Sequence, residues 1–150
     1  MSRSCVWFFV AAVCAAASAC GDGGATAPTT PEGSFTGQWN GTTSHGVPIS
    51  FTVSPDQSVT SITVGYRFNG CTGSNTFSDL SLRIGTSPFP GRMPTPGNPG
   101  FGYGSGSPEG ANYMQVQGTF TSNEASTGSA VFLNFPSCGN TVANWTASRR

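Results

Sequence analysis

The feature of this sequence that most restricts its fold is an alternation of apolar and polar side chains through residues 34–150. Ile49, Phe51 and Val53, for example, are separated by single hydroxyl side chains. A period of two places one set of side chains on a core and the other in water, as a strand of an antiparallel sheet requires. No segment keeps the period of a helix. The predicted strands lie near residues 35–39, 49–53, 62–68, 80–84, 114–120, 131–135 and 143–147.

The segments between these strands are rich in residues that reverse the chain. Asn69-Gly70 joins two of them, and Gly, Pro, Asn, Asp and Ser fill most of the others. These residue types favour the backbone angles of tight turns. We therefore predict an all-β, antiparallel domain of seven to eight strands, either a β-sandwich or a closed β-barrel.

The first residues predict export from the cell. An apolar run over residues 5–17 is too short to span a membrane and has the length of a signal-peptide core. We predict a signal peptide over residues 1–19. Two cleavage sites compete here: Ala17-Ser18-Ala19 suits ordinary signal peptidase, whereas small residues before Cys20 resemble the lipobox of bacterial lipoproteins.

Residues 20–33 predict a flexible tether. They consist mostly of Gly, Ala, Thr and Pro, as lipid-anchored bacterial proteins have after their modified cysteine. We expect a lipid on Cys20 to hold the protein at a membrane. Asp22 comes one place later than the inner-membrane retention signal of enteric bacteria, so outer-membrane or cell-surface placement is expected. The alternative is secretion as a soluble protein with an unmodified Cys20.

The cysteine count agrees with an exported protein. Of the five cysteines, Cys5 and Cys14 leave with the signal peptide and Cys20 takes the lipid. Cys71 and Cys138 remain, and an even remainder in an oxidising compartment suggests one disulfide. Two buried free thiols are the alternative.

A disulfide between these cysteines would exclude a plain meander of seven strands. Successive hairpin turns alternate between the two ends of a sheet, so the turns that hold Cys71 and Cys138 would lie at opposite ends. The bridge needs Cα atoms within about 7 Å of each other. An additional strand or a crossover is therefore predicted within residues 85–112, the longest connection. Residues 101–103 are the candidate strand.

The same connection is the candidate binding loop. Residues 85–112 are rich in Gly and Pro but also carry Phe89, Met93, Phe101 and Tyr103. Long loops in compact domains are often functional, and large apolar side chains in such a loop are typical of contact with a ligand or partner. The alternative is a loop whose aromatic rings lie back on the domain surface.

The charge balance limits the partners of this protein. It has six Lys or Arg and six Asp or Glu, so its formal net charge is zero, and only 8% of its residues are charged. A typical domain has about 25% charged residues. Nucleic-acid binding needs a clear basic excess, so no nucleic-acid partner is expected.

No catalytic or metal-binding pattern is evident in the sequence. His45 is the single histidine and lies in a predicted turn. The carboxylates of Asp56, Asp79, Glu109 and Glu124 lie on separate turns or loops, so no acid and base pair is indicated. We therefore expect no enzyme activity, no cofactor and no metal.

Three short motifs carry a resemblance. Gly37 to Thr42 form Gly-x-Trp-x-Gly-Thr, residues 118–120 read Gly-Thr-Phe, and residues 145–147 read Trp-Thr-Ala. Together with the two cysteines, this pattern resembles small exported bacterial β-domain lipoproteins of unassigned function. The resemblance implies a β fold and export, and it implies no ligand.

The opening strand has a second, shorter resemblance. Residues 35–42 are similar to the first strand of lipocalin-like and avidin-like barrels, in which the Trp of Gly-x-Trp closes one end. Two functions are therefore expected as alternatives. The first is a lipid-anchored, non-enzymatic module of the envelope or surface that binds an envelope glycan or another polymer, or a protein partner. The second is a lipocalin-like barrel that carries a small apolar ligand, which the apolar inward positions disfavour.

Overall fold

The computed structural model describes residues 34–85 and 99–150, and the secondary structure in these two ranges is entirely β. All its strands belong to one antiparallel sheet, so the predicted all-β antiparallel class is confirmed. These ranges contain no helix long and apolar enough to cross a bilayer. The strands are β1 (Gly37–Thr43), β2 (Pro48–Val53), β3 (Ser58–Phe68), β4 (Cys71–Phe77), β5 (Leu82–Arg83), β6 (Gly100–Ser105), β7 (Tyr113–Phe120), β8 (Ala125–Phe135) and β9 (Gly139–Arg149).

The sheet consists of two meanders joined by its first and last strands. Its order is β4-β3-β2-β1-β9-β8-β7-β6, and the short β5 pairs with β3 outside this path. Trp39 of β1 lies opposite Arg149 of β9, and Thr43 lies opposite Trp145. The twist of so many strands curls the sheet into a half-barrel with β4 and β6 at its two edges.

The concave side of the sheet is filled by aromatic and branched side chains. Trp39 has no exposed surface, and its ring stacks on Phe51 at a centroid distance of 5.5 Å. Phe35 stacks on Phe120 at 4.3 Å. Rings packed at these distances leave little room for water in the interior.

The predicted disulfide between Cys71 and Cys138 is confirmed, with Cα atoms 6.1 Å apart. The sequence prediction of an additional strand within residues 85–112 is also confirmed, because β6 spans Gly100–Ser105. With this strand the turns before β4 and before β9 lie at the same end of the sheet, which we call the disulfide end. The chain enters the described fold at Ser34, and we call that opposite end the Ser34 end.

The strand predicted at residues 80–84 is wrong in most of its length. Only Leu82 and Arg83 pair with β3, whereas Cys71–Phe77 form the full edge strand β4. β4 was missed because an edge strand is only half-covered and does not need apolar side chains at each inward position. Its pairing follows from the turn at Asn69 and Gly70, which both have positive φ angles, 46° and 85°, as the tight hairpin turns require.

Two glycines make room for a buried indole. Gly118 of β7, Gly128 of β8 and Trp145 of β9 lie side by side in register. A Cβ at position 118 would lie 2.8 Å from Cη2 of Trp145, and a Cβ at 128 would overlap the same ring. The indole therefore reaches across the bare backbone of the next two strands, β8 and β7.

Replacing Gly128 with alanine should destabilise the fold by about 2–3 kcal/mol, because the new methyl group overlaps the indole of Trp145 and the carbonyl oxygen of Gln117. Chemical denaturation followed by tryptophan fluorescence measures the change. Ser129→Ala, one position along on the outer face, is the control and should change stability by less than about 0.5 kcal/mol. Equal midpoints for the two variants would contradict this packing.

Candidate functional site

The structure divides the residues of the candidate binding loop. Phe89 and Met93 of the loop lie outside the described residues, as does the predicted lipidation site Cys20. Phe101 lies in β6 and is only 3% exposed, because its ring packs between the core rings of Phe51 and Phe120. The expectation that Phe101 contacts a partner is therefore corrected: its position on the inward face of β6 makes it a core residue.

Tyr103 lies at the seam between the two edges of the sheet. It is half-buried, and its ring lies 4.8 Å from that of Phe77 on β4. No ladder of hydrogen bonds joins β4 to β6 in the described ranges, although the Gly85 N–H donates to Gly100 O at 2.8 Å near the Ser34 end. Tyr103 therefore helps to close the core where the sheet does not close by pairing.

The Ser34 end is fixed by a small hydrogen-bond network. The Phe35 N–H donates to Oε1 of Gln57 at 2.9 Å, and Nε2 of Gln57 donates to Oγ1 of Thr36 at 2.9 Å. Nη1 of Arg149 donates to the carbonyl oxygen of Ser34 at 2.7 Å. The segment that precedes the domain therefore joins it at a fixed place, with the strands of the sheet running away from it.

The convex side of the sheet carries a row of four threonines. Thr42 of β1 lies opposite Thr146 of β9, which lies opposite Thr127 of β8, which lies opposite Thr119 of β7. All four point outward, because the residues on either side of each in sequence point inward. We call these four residues the threonine row.

A second row runs beside it, nearer the disulfide end. Asn144, Ser129 and Gln117 lie opposite one another on β9, β8 and β7, and we call them the flanking row. Between the two rows is an open depression of about 490 Å³, whose lining includes the flanking row, every member of the threonine row except Thr42, and the backbone of Gly118 and Gly128. Gly118, Gly128 and Trp145 lie between the two rows and face inward, so the outer face carries no side chain at these positions.

Two further open depressions extend the same surface onto β1. One of about 370 Å³ is lined by residues that include Thr42, Ser44 and Asn144, and another of about 420 Å³ by residues that include Asn40 and Ser148. Thr146 lines all three depressions. The outer face of β1, β9, β8 and β7 is therefore one continuous corrugated surface centred on Thr146.

The hydroxyl groups of the threonine row have no protein partners. On the other half of the sheet, Oγ1 of Thr63 and Oγ1 of Thr76 lie 2.9 Å apart, and Oγ of Ser61 donates to Oγ1 of Thr52 at 3.2 Å. The four hydroxyls of the threonine row make no hydrogen bond to any described residue. These two pairs of hydroxyls bond to each other, whereas the hydroxyls of the threonine row are free to bind.

The two rows also lack ionisable side chains. The charged groups with a perturbed pKa lie on turns at opposite ends of the sheet, Asp56 between β2 and β3 and Glu109 between β6 and β7. A hydrogen bond from Ser54 lowers the pKa of Asp56, and one from Ser107 lowers the pKa of Glu109. Among the described residues no group of three or more His, Cys, Asp or Glu is placed to hold a metal ion.

Replacing Ser54 with alanine should raise the pKa of Asp56 toward its ordinary value of 3.8, because the hydroxyl that stabilises the carboxylate is lost. Since the folded pKa is lowered, this hydrogen bond stabilises the fold above the ordinary pKa, and its contribution is lost as the pH falls through the folded value. An NMR titration of the side-chain carboxyl carbons measures the change. The pKa of Glu109 is the internal control and should not move; a shift of both would indicate a general change of structure.

The chain has no match among protein-family models, curated proteins or solved structures. Any function must therefore be inferred from the residues and contacts described above. The polar outer faces of the strands were evident from the sequence, but the threonine row was not. Thr42 is far from the other three in the chain, and the four align only through the pairing of β1 with β9, of β9 with β8 and of β8 with β7.

Proposed function

We propose that this protein is a lipid-anchored, non-enzymatic module of the cell envelope that binds a polymer or a protein through the outer face of β1, β9, β8 and β7. One observation carries the proposal: this face is continuous, uncharged and rich in unbonded hydroxyl and amide groups. Polar groups of this kind exchange bonds with water for bonds with a partner at little cost. We place the module at the outer membrane or the cell surface.

The arrangement of the chain supports a tethered module. Thirteen residues would separate a lipid on Cys20 from Ser34. A flexible chain of this length has a root-mean-square end-to-end distance of about 20 Å. Arg149 and Gln57 fix the chain where it meets the domain. From that end the strands of the sheet run toward the disulfide end.

The filled interior supports a surface site over the alternative, a barrel that carries a small apolar ligand. Trp39 contacts the rings of Phe51 and Phe120, and Phe51 also contacts Phe101 and Trp145 at 5.0 and 5.9 Å. Carriers of this size need a chamber inside the sheet. The Gly-x-Trp tryptophan is here part of the packing that occupies that space.

The placement of ionisable groups supports a non-enzymatic role. His45 lies in the β1–β2 connection, 6.3 Å from the ring of Phe68 and at the opposite end of the sheet from Asp56. Asp56 and Glu109 bond to neighbouring serines and lie at opposite ends of the sheet. Acid and base catalysis needs two such groups within reach of one substrate atom.

Two measurements test the proposed function. Mass spectrometry of the membrane fraction should find lipid on Cys20; an unmodified Cys20 would contradict the anchor. The Cys20→Ser variant, exported without lipid, should co-sediment with protein-free cell-wall polymer or retain a specific envelope protein. It should show no thermal shift with a panel of small apolar compounds, and stabilisation by those compounds alone would favour the carrier instead.

A further inference from the structure

We propose that the occupant of the threonine row is a neutral, extended β-linked glycan that lies across β1, β9, β8 and β7. This inference rests on the proposed function and names its ligand class. The row places Thr42, Thr146, Thr127 and Thr119 on adjacent strands. Neighbouring strands are about 4.8 Å apart, so the four hydroxyls span about 14 Å at a regular interval. A chain of hexose rings in an extended conformation presents its hydroxyl groups at a similar interval.

The hydrogen-bonding state of the row favours a sugar. A threonine hydroxyl can donate one hydrogen bond and accept others, as a sugar hydroxyl can. The four hydroxyls of the row make none within the described chain, whereas Thr63 and Thr76 on the other half of the sheet bond to each other. The outer face therefore offers both donors and acceptors at each position along the row.

The flanking row adds amide groups on one side. The side chains of Asn144 and Gln117 each carry a carbonyl acceptor and an amino donor. Nε2 of Gln117 is buried and has no hydrogen-bond partner, which is a costly state for an amide donor. Rotation of this side chain toward the depression between the rows would let it donate to a ring substituent such as an acetamido carbonyl.

The chemistry of the two rows also separates a glycan from a protein partner. Their seven side chains are threonine, serine, asparagine and glutamine, with no ionisable group and no aromatic ring. Protein interfaces rely on buried Tyr, Trp and Arg anchors, which the two rows lack. A neutral ligand needs no opposite charge, so binding to this face should be insensitive to salt.

The test uses the exported Cys20→Ser protein and chitotetraose, an uncharged β-1,4-linked tetrasaccharide, as the probe. Titration calorimetry should detect binding of equal strength at low and high salt. The double variant Thr127→Val and Thr146→Val removes two hydroxyls from the centre of the row and keeps residues that suit a strand. It should bind at least roughly tenfold more weakly. The matched control, Thr63→Val with Thr76→Val, changes two outward threonines on β3 and β4 and should bind as the parent does.

The outcomes distinguish this inference from the proposed function. Parent-like binding by the Thr127→Val, Thr146→Val variant would overturn the assignment to the row and leave the module intact. Binding of protein-free cell-wall polymer or of an envelope protein, without binding of chitotetraose, would overturn the glycan and still support the module. Failure to bind any of these probes would overturn both. Amide chemical-shift changes confined to Thr42, Thr119, Thr127 and Thr146 would support the row directly.

Discussion

Removing the disulfide with Cys71→Ala and Cys138→Ala should lower the free energy of unfolding by about 4 kcal/mol. The bridge closes a loop with a sequence separation of 67, and opening that loop gives the unfolded chain more conformational freedom. It also ties the edge hairpin of β3 and β4 to the turn between β8 and β9. Thermal unfolding followed by circular dichroism should show a Tm lower by about 15 °C for a domain of this size.

Reduction provides the control for this prediction. In the Cys20→Ser background, the parent protein with excess reductant should unfold at the same temperature as the double alanine variant. Under oxidising conditions the Tm of the parent should exceed that of the double alanine variant by about 15 °C. If the oxidised parent and the variant unfolded within about 3 °C of each other, the bridge would contribute little to stability and the loop-closure argument would fail.

Replacing Trp39 with alanine should lower the free energy of unfolding by about 3–5 kcal/mol. The indole is fully buried, stacks on Phe51 and meets the edge of Phe120 at a centroid distance of 5.0 Å. Its Nε1 donates to the carbonyl oxygen of Phe35 at 2.8 Å. Truncation leaves a cavity among these rings and a carbonyl oxygen without its hydrogen bond. Urea denaturation measures the combined change in the free energy of unfolding.

Two variants control for the loss of Trp39. Trp39→Phe keeps an aromatic ring but loses the hydrogen bond and part of the volume, so it should cost clearly less than alanine. Val142→Ala changes an apolar side chain that is 56% exposed and should alter stability by less than about 0.5 kcal/mol. A Trp39→Ala variant as stable as Val142→Ala would be inconsistent with a filled interior. It would favour the alternative function, a barrel that carries a small apolar ligand.

Most of the strands follow from local patterns of residues. The alternation around Ile49, Phe51 and Val53 predicts β2 correctly, because each inward side chain of a central strand is covered and must be apolar. β4 breaks this pattern. Its inward positions include Gly73 and Asn75, and an edge strand tolerates them because one of its sides has no neighbour.

The cysteines allowed a prediction of topology from counting alone. A bridge between Cys71 and Cys138 requires both turns at one end of the sheet, which required another strand, and β6 supplies it. The same reasoning could not separate the roles of the aromatic residues near that strand. Phe101 points into the core and Tyr103 lies at the seam, and this difference depends on where β6 pairs with β7.

By itself, the sequence determined the β class, the position of most strands, the residues that form the turns and the two cysteines that form the disulfide. These properties depend on the side chain at each position and its near neighbours, so a local pattern suffices to reveal them. The tertiary structure alone decided the threonine row, the indole of Trp145 against Gly118 and Gly128, and the burial of Phe101. Each depends on the register between paired strands, which no local pattern fixes, and a shift of one residue in that register would turn every side chain of a strand to the other face.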